Sequence, residues 1–154
     1  MSPWLRPFPL AVGLFALAQF SFLAATYLTM EADEPELRED FRRLLADATA
    51  GADTAALSER FAFLRSYLTA HDAGETKVLL SDPSIVSEDI AVPYTIAHKH
   101  VAEAVNGLTE SLANGDRQAV VSAASIAYTA VRLHLDMEDE HLLPLCRSRM
   151  TPEQ

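Results

Sequence analysis

The feature that most constrains this chain is a polar register repeated at a fixed distance inside two apolar seams. Leu57, Phe61, Leu64, Leu68, His71, Glu75 and Val78 follow alternating steps of four and three, the spacing of a helix that buries one stripe in a bundle. At a constant offset of 63, Val120, Ala124, Ala127, Val131, His134, Glu138 and His141 repeat it. Each seam turns polar at the same point, with a His and a Glu four residues apart on one helix face. An imidazole and a carboxylate in that relation can grip one metal ion, and two such pairs at one height ask for a shared core.

Two further seams fit the same plan. Tyr94, His98, Val101, Val105, Leu108 and Leu112 form one; it takes in His98 and leaves out His100, whose companions are Pro93, Ala97, Ala104 and Gly107. Met30, Glu34, Leu37, Phe41, Leu44 and Ala48 form the other. Gly51, Ser81-Asp82-Pro83-Ser84 and Asn114-Gly115 punctuate the chain. The resulting helices run to about Ala48, from Asp53 or Thr54 to about Leu80, from about Pro93 to Asn114, and from Asp116 to about Leu143, where Pro144 stops the last. With five glycines and no paired alternating runs, the class is all-α, and two consecutive αα-hairpins predict an up-down four-helix bundle. Glu34 lies 17 residues before Gly51 and His71 lies 18 after Asp53; His98 lies 17 before Gly115 and His134 lies 18 after Asp116. Six polar residues are therefore expected in one layer: Glu34, His71, Glu75, His98, His134 and Glu138.

Residues 30–146 hold this bundle, 147–154 form a tail, and 1–29 differ in kind. From Phe8 to Met30 there are 23 residues without a charge, with Arg6 before them and an acidic stretch after. At about 1.5 Å per residue such a run can span a bilayer core of roughly 30 Å. It reads as an additional apolar helix on a cytoplasmic domain, as a membrane anchor, or as an export signal with Ala16-Leu17-Ala18 at its cleavage site. The formal charge of −10, with no basic run, speaks against nucleic acid as a partner. One cysteine, Cys146, rules out a disulfide framework.

Burying three carboxylates and three imidazoles uncompensated would cost far more than a domain's net stability of roughly 5–15 kcal/mol. No seam offers Lys or Arg at that height, so cations are the expected partners. Carboxylates on separate helices can bridge two metals while imidazoles fill terminal positions, and this mixed set suits two iron ions, or manganese, better than structural zinc. Tyr94, one turn before His98, is either a phenolate ligand or a buried phenol that packs and donates a hydrogen bond. His141 is expected at the bundle end, His100 on the surface, and Asp136, Asp139 and Glu140 on a solvated face.

The stretches His71-Asp-Ala-Gly-Glu75, His98, and His134-Leu-Asp-Met-Glu138 with the following Leu-Leu-Pro-Leu resemble the hemerythrin-like HHE cation-binding domains. That pattern has a His on the first helix, HxxxE on the second, a His on the third and HxxxE or HxxxD on the fourth. The resemblance covers about Met30 to Leu145. It implies His71, Glu75, His98, His134 and Glu138 as ligands, with Glu75 and Glu138 as bridges. It also implies a non-haem di-iron protein that binds or reacts with dioxygen or peroxide, as a carrier, an oxidase or oxygenase, or an iron or oxygen sensor without turnover; the other reading of the same residues is a degenerate bundle whose polar layer holds no metal. The departure is Glu34, standing where the pattern has His and followed at once by Pro35. Glu34 either replaces that imidazole or leaves one metal with an open position.

Overall fold

The computed structural model of the protein describes residues 35–150; the apolar run 8–30 and Glu34 lie outside the described residues. The described chain is helical throughout, with four long helices and no strand. Helix α1 covers 35–50. Helix α2, Thr54–Glu75, passes directly into a π turn, Thr76–Leu80. Helix α3 is Glu88–Asn114, and α4, Arg117–Met137, continues through a second π turn, Glu138–Leu142, into the short α5, Leu143–Met150. Among these residues no helix is long and apolar enough to cross a membrane.

The two hairpins are built alike. Gly51 and Gly115 take φ of 84° and 71°, the left-handed conformation that ends a helix at little cost only for glycine. The carboxylates of Asp53 and Asp116 then accept hydrogen bonds from the free N–H groups opening α2 and α4 (Ala55 and Ala56; Gln118 and Ala119). The Arg117 guanidinium lies over Gly51, so both turns sit at one end of the bundle.

Every long helix sends its seam into one core. Leu37, Phe41, Leu44 and Ala48 of α1 meet Leu57, Phe61, Leu64 and Leu68 of α2, Val101, Val105, Leu108 and Leu112 of α3, and Val120, Ala124, Ala127 and Val131 of α4. Phe41 and Phe61 pack edge to face, 6.4 Å between centroids. Polar contacts tie adjacent helices around the rim: Arg60 to Asp47 at 2.6 Å joins α1 to α2, and Arg38 to Asp139 at 2.9 Å and Asp136 at 3.2 Å joins α1 to the end of α4. Asp136 and Asp139 thus clasp a neighbouring helix rather than only facing solvent. Each such half-exposed pair contributes at most about 1 kcal/mol.

Three sequence expectations are corrected here. The third helix begins at Glu88, five residues before Pro93, because Ser87 opens it and Glu88 and Asp89 place negative charge in its first turn. Pro93 leaves the Asp89 carbonyl without its helical donor, and both Asp89 and Pro93 are exposed residues near the start of the helix. Pro144 does not stop the fourth helix. It falls in the first turn of α5, just after the π turn has changed the hydrogen-bond register; the Leu143 N–H reaches five residues back to the Glu138 carbonyl.

The third correction concerns the seams themselves. A π turn spends one extra residue per turn, so the inward position slips by one beyond it. Leu79 rather than Val78 is buried after Glu75, and Leu142 rather than His141 after Glu138. His141 is turned to solvent. With Ile85 and Val86 of the α2–α3 connection, Tyr94, Leu143 and Cys146, these leucines form a second buried set at the end remote from the turns. Arg149 holds the connection by donating to the Ile85 carbonyl at 2.8 Å.

Candidate metal centre

The polar layer lies between the main core and this second apolar set. His71 and Glu75 come from the last turn of α2, and His134 and Glu138 from the end of α4. All four are buried, the two carboxyls with no exposure at all. One donor atom from each of the four lies within 4.8 Å of the others. Helical periodicity alone achieves this: four residues advance each helix by little more than a turn, so His and Glu point the same way, and the antiparallel core brings the two pairs together.

The contacts interlock. Glu138 Oε2 lies 3.3 Å from His71 Nε2, and Glu138 Oε1 lies 2.7 Å from His134 Nε2. Glu75 Oε2 lies 2.8 Å from His98 Nε2. The His98 ring stands 4.7 Å from that of His134, centroid to centroid, and Thr76 Oγ1 lies 3.3 Å from its other nitrogen, Nδ1. His98, with 13% of its side chain exposed, forms the open edge of the layer.

Electrostatics follow from the crowding of acids and bases out of water. Burial works to lower the basicity of His134, but the closeness of Asp72 and Glu138 more than offsets it, and the pKa stands at about 10. His71 is raised in the same way, burial being outweighed by Glu138. For Glu138 burial is outweighed by His134 and His71, and its carboxyl is held well below the usual range. Glu75 goes up, because burial and the charge of Glu138 exceed what His98 returns. The two carboxyls therefore differ in character although the sequence treats them as equivalent.

Tyr94 is buried one turn below His98, and its hydroxyl donates to the Met137 carbonyl at 3.0 Å. Burial and the charges of Glu75 and Glu138 push it up to about 12, so it stays a neutral phenol at ordinary pH. His100 and His141 are exposed.

Asp72 falls off the four-and-three spacing of its seam, yet it lies against the site. Its Oδ1 lies 3.6 Å from His134 Nε2, and Asp72, His98 and His134 form a second set with donor atoms within 4.8 Å of one another. The signal was present: 63 residues on, the equivalent position is Leu135, an apolar residue that is wholly buried. That position faces inward on both helices, and α2 places an acid there. Thr76, directly after Glu75, is the other residue that seam spacing could not pick out.

What this layer lacks is hydrogen-bond closure. Among the described residues six buried side-chain polar atoms have no hydrogen-bond partner: Arg38 Nε, and, all within this layer, Asp72 Oδ1, Glu75 Oε1, Glu138 Oε1 and both ring nitrogens of His134. The 2.7 Å approach of His134 Nε2 to Glu138 Oε1 is thus close without being aligned as a hydrogen bond. Buried polar atoms that lie within 4.8 Å of one another and do not pair form a set that could hold a metal ion.

No family model matches the chain, and no solved structure matches it. Among curated proteins the chain is similar to the zinc finger protein BRUTUS of Arabidopsis thaliana, 29% identical over 125 residues, which covers 75% of this chain and 10% of that protein. The chain thus spans about a tenth of the length of that relative. A zinc finger takes two or more thiolates, and this chain has the single buried Cys146. The matched stretch of this chain, helical and with one cysteine, holds no such finger.

Proposed function

We propose that the layer is a hemerythrin-like non-haem metal centre that holds two iron ions, manganese being the other metal the donor set suits, and that it binds or reacts with dioxygen or peroxide. The observation that carries this reading is the set of five unpartnered buried donor atoms on Asp72, Glu75, His134 and Glu138. A closed polar network would have used them. Glu75 and Glu138 stand on different helices; Glu75 has one oxygen beside His98 and the other unpaired, and Glu138 has one oxygen beside His71 and the other beside His134, which suits both to bridge two ions. His71, His98 and His134 would take terminal positions, and Thr76 and Tyr94 would set ring orientation and packing around them. The likeness to a small part of a much longer protein fits a module of this kind reused in larger chains.

Iron in this setting supplies redox chemistry toward dioxygen or peroxide. The chain's own contribution is to hold the ligands, to exclude water with Leu79, Val86, Leu142 and Cys146, and to leave the His98 edge more open than the rest. Asp72 adds a carboxylate to the donors, which makes the set harder and more anionic. That favours the ferric state, and with it turnover over reversible carriage. Glu34, outside the described residues, would add a further carboxylate if it reaches the layer.

Mixing reduced, iron-loaded protein with dioxygen in a stopped-flow spectrometer tests this. Rapid optical change followed by decay and repeated turnover with a reductant is the expected result. A stable adduct reversed by evacuation would assign the centre to carriage or sensing. No optical change on oxygenation would refute oxygen reactivity altogether.

A further inference from the structure

Two sets of donors share one residue. His71, Glu75, His134 and Glu138 form the buried set, and Asp72, His98 and His134 form the other; within each, one donor atom per residue lies within 4.8 Å of the rest. The sets differ in their access to water. The side chains of Asp72 and His98 are 20% and 13% exposed, against 4% or less for His71, Glu75, His134 and Glu138. The second set therefore runs from the surface, with Asp72 on α2 and His98 on α3, to an imidazole that belongs to the buried set as well.

Packing gives no reason for an acid at Asp72. The matching position of the repeat holds Leu135, wholly buried, and a leucine on α2 would likewise have buried apolar surface. Asp72 instead leaves Oδ1 buried, 3.6 Å from His134 Nε2 and without a hydrogen-bond partner. Both ring nitrogens of His134, whose side chain is 1% exposed, are unpartnered too. Such atoms are costly to leave open, and a cation between them satisfies both. A hydrated ion that is to reach Glu75 and Glu138 must exchange its water for protein donors in steps, because shedding the whole shell at once is prohibitive. We propose that Asp72, His98 and His134 form an entry site, at which a hydrated divalent cation, ferrous or manganous, is first held and from which it passes by way of His134 to the buried set. This rests on the metal reading above and gives Asp72 a part in loading besides its part among the donors. The net charge of −10 draws cations to the surface at large; Asp72 fixes where they go in.

The test is anaerobic mixing of the metal-stripped, full-length chain with excess ferrous iron, stopped at intervals by a chelator and desalted, with the retained iron counted by elemental analysis. A parent chain that retains no iron at any time refutes the metal reading itself; failure of the entry site alone shows as loading whose rate does not depend on Asp72. Asp72→Asn and Asp72→Leu, the second copying the residue of the repeat, are each expected to slow loading by at least about tenfold at unchanged helicity and to reach the parent's content at long times. Asp72→Glu should load within about threefold of the parent rate, and Glu140→Gln, which removes the same charge from an exposed position, should leave the rate unchanged. Loading of Asp72→Asn at the parent's rate would overturn the proposal, whatever the final content. Equal slowing by Glu140→Gln would overturn it by giving the effect to overall charge. An Asp72→Asn chain that never retains iron would do so as well, by leaving Asp72 a holding ligand only.

Discussion

Glu138→Ala is expected to lower metal affinity by at least about a hundredfold and to leave the purified protein nearly metal-free, whereas His100→Ala keeps the content of the parent. Glu138 is the most connected member of the layer, within 3.3 Å of His71 and 2.7 Å of His134, and it has no exposed surface. On the proposed reading its removal takes away a bridging ligand, and in any case it leaves two imidazoles without the carboxylate beside them. Removing one partner of a buried charged cluster typically costs about 3–5 kcal/mol, so the variant should also unfold at lower temperature. Glu138→Gln preserves volume and separates the two effects: it should recover much of the stability and little of the metal. Elemental analysis of the three variants beside thermal melts provides the check. Equal metal loss in Glu138→Ala and His100→Ala would refute the assignment of which face of each helix points inward.

Stripping the metal is expected to lower the midpoint of thermal unfolding by about 10–20 °C. A ligand present at a thousand times its dissociation constant adds about 4 kcal/mol, and each kcal/mol moves a domain of this size by about 3–5 °C. The stripped protein should in addition become sensitive to alkali. His134 has its pKa raised to about 10, so the stability it lends is complete below its ordinary value of about 6.5 and is lost as pH climbs toward 10. Glu138, held low, acts on the acid side: its contribution is present above the ordinary carboxylate range and fails as pH falls below it. Glu75, raised by burial, favours the neutral carboxyl and so weakens the stripped protein once pH exceeds the usual range. The metal-free form is therefore most stable in mildly acid solution and loses stability between about pH 6.5 and 10, while the loaded form, with His134 bound and unable to titrate, stays level. Melts at pH 6 and pH 9, with and without prior chelation, measure this. A stripped protein equally stable at both values would contradict the account of His134.

The comparison of sequence with structure shows where periodic reasoning holds and where it stops. Steps of four and three located Leu57 to Glu75 and Val120 to Glu138 on the buried faces, since an uninterrupted α-helix leaves no freedom in which residues face inward. The same reasoning went out of phase one turn later, at Val78 and His141, because the π turns that follow Glu75 and begin at Glu138 have no marker in residue spacing. Both slips occur against the polar layer, the place where helices most often depart from regular geometry for a functional reason. Pro93 and Pro144 each forbid one hydrogen bond without ending a helix: at Pro93 the loss falls near the start of α3 on an exposed residue, Asp89, and at Pro144 the π turn has just changed the register. Asp72 was legible only by comparison across the repeat, through buried Leu135 at the matching position. Glu34 and the apolar run 8–30, on which the sequence raised its sharpest questions about the first helix, lie outside the described residues.

The central claim is that His71, Glu75, His98, His134 and Glu138 hold a pair of metal ions. Iron and manganese per chain, measured by elemental mass spectrometry on full-length protein produced in iron-supplemented medium and quantified by amino-acid analysis, tests it most directly. About two iron ions per chain is the predicted value, as for other bundle cores with two bridging carboxylates. Less than about half an ion per chain in repeated preparations would contradict it, and would leave the layer as a polar network without a metal.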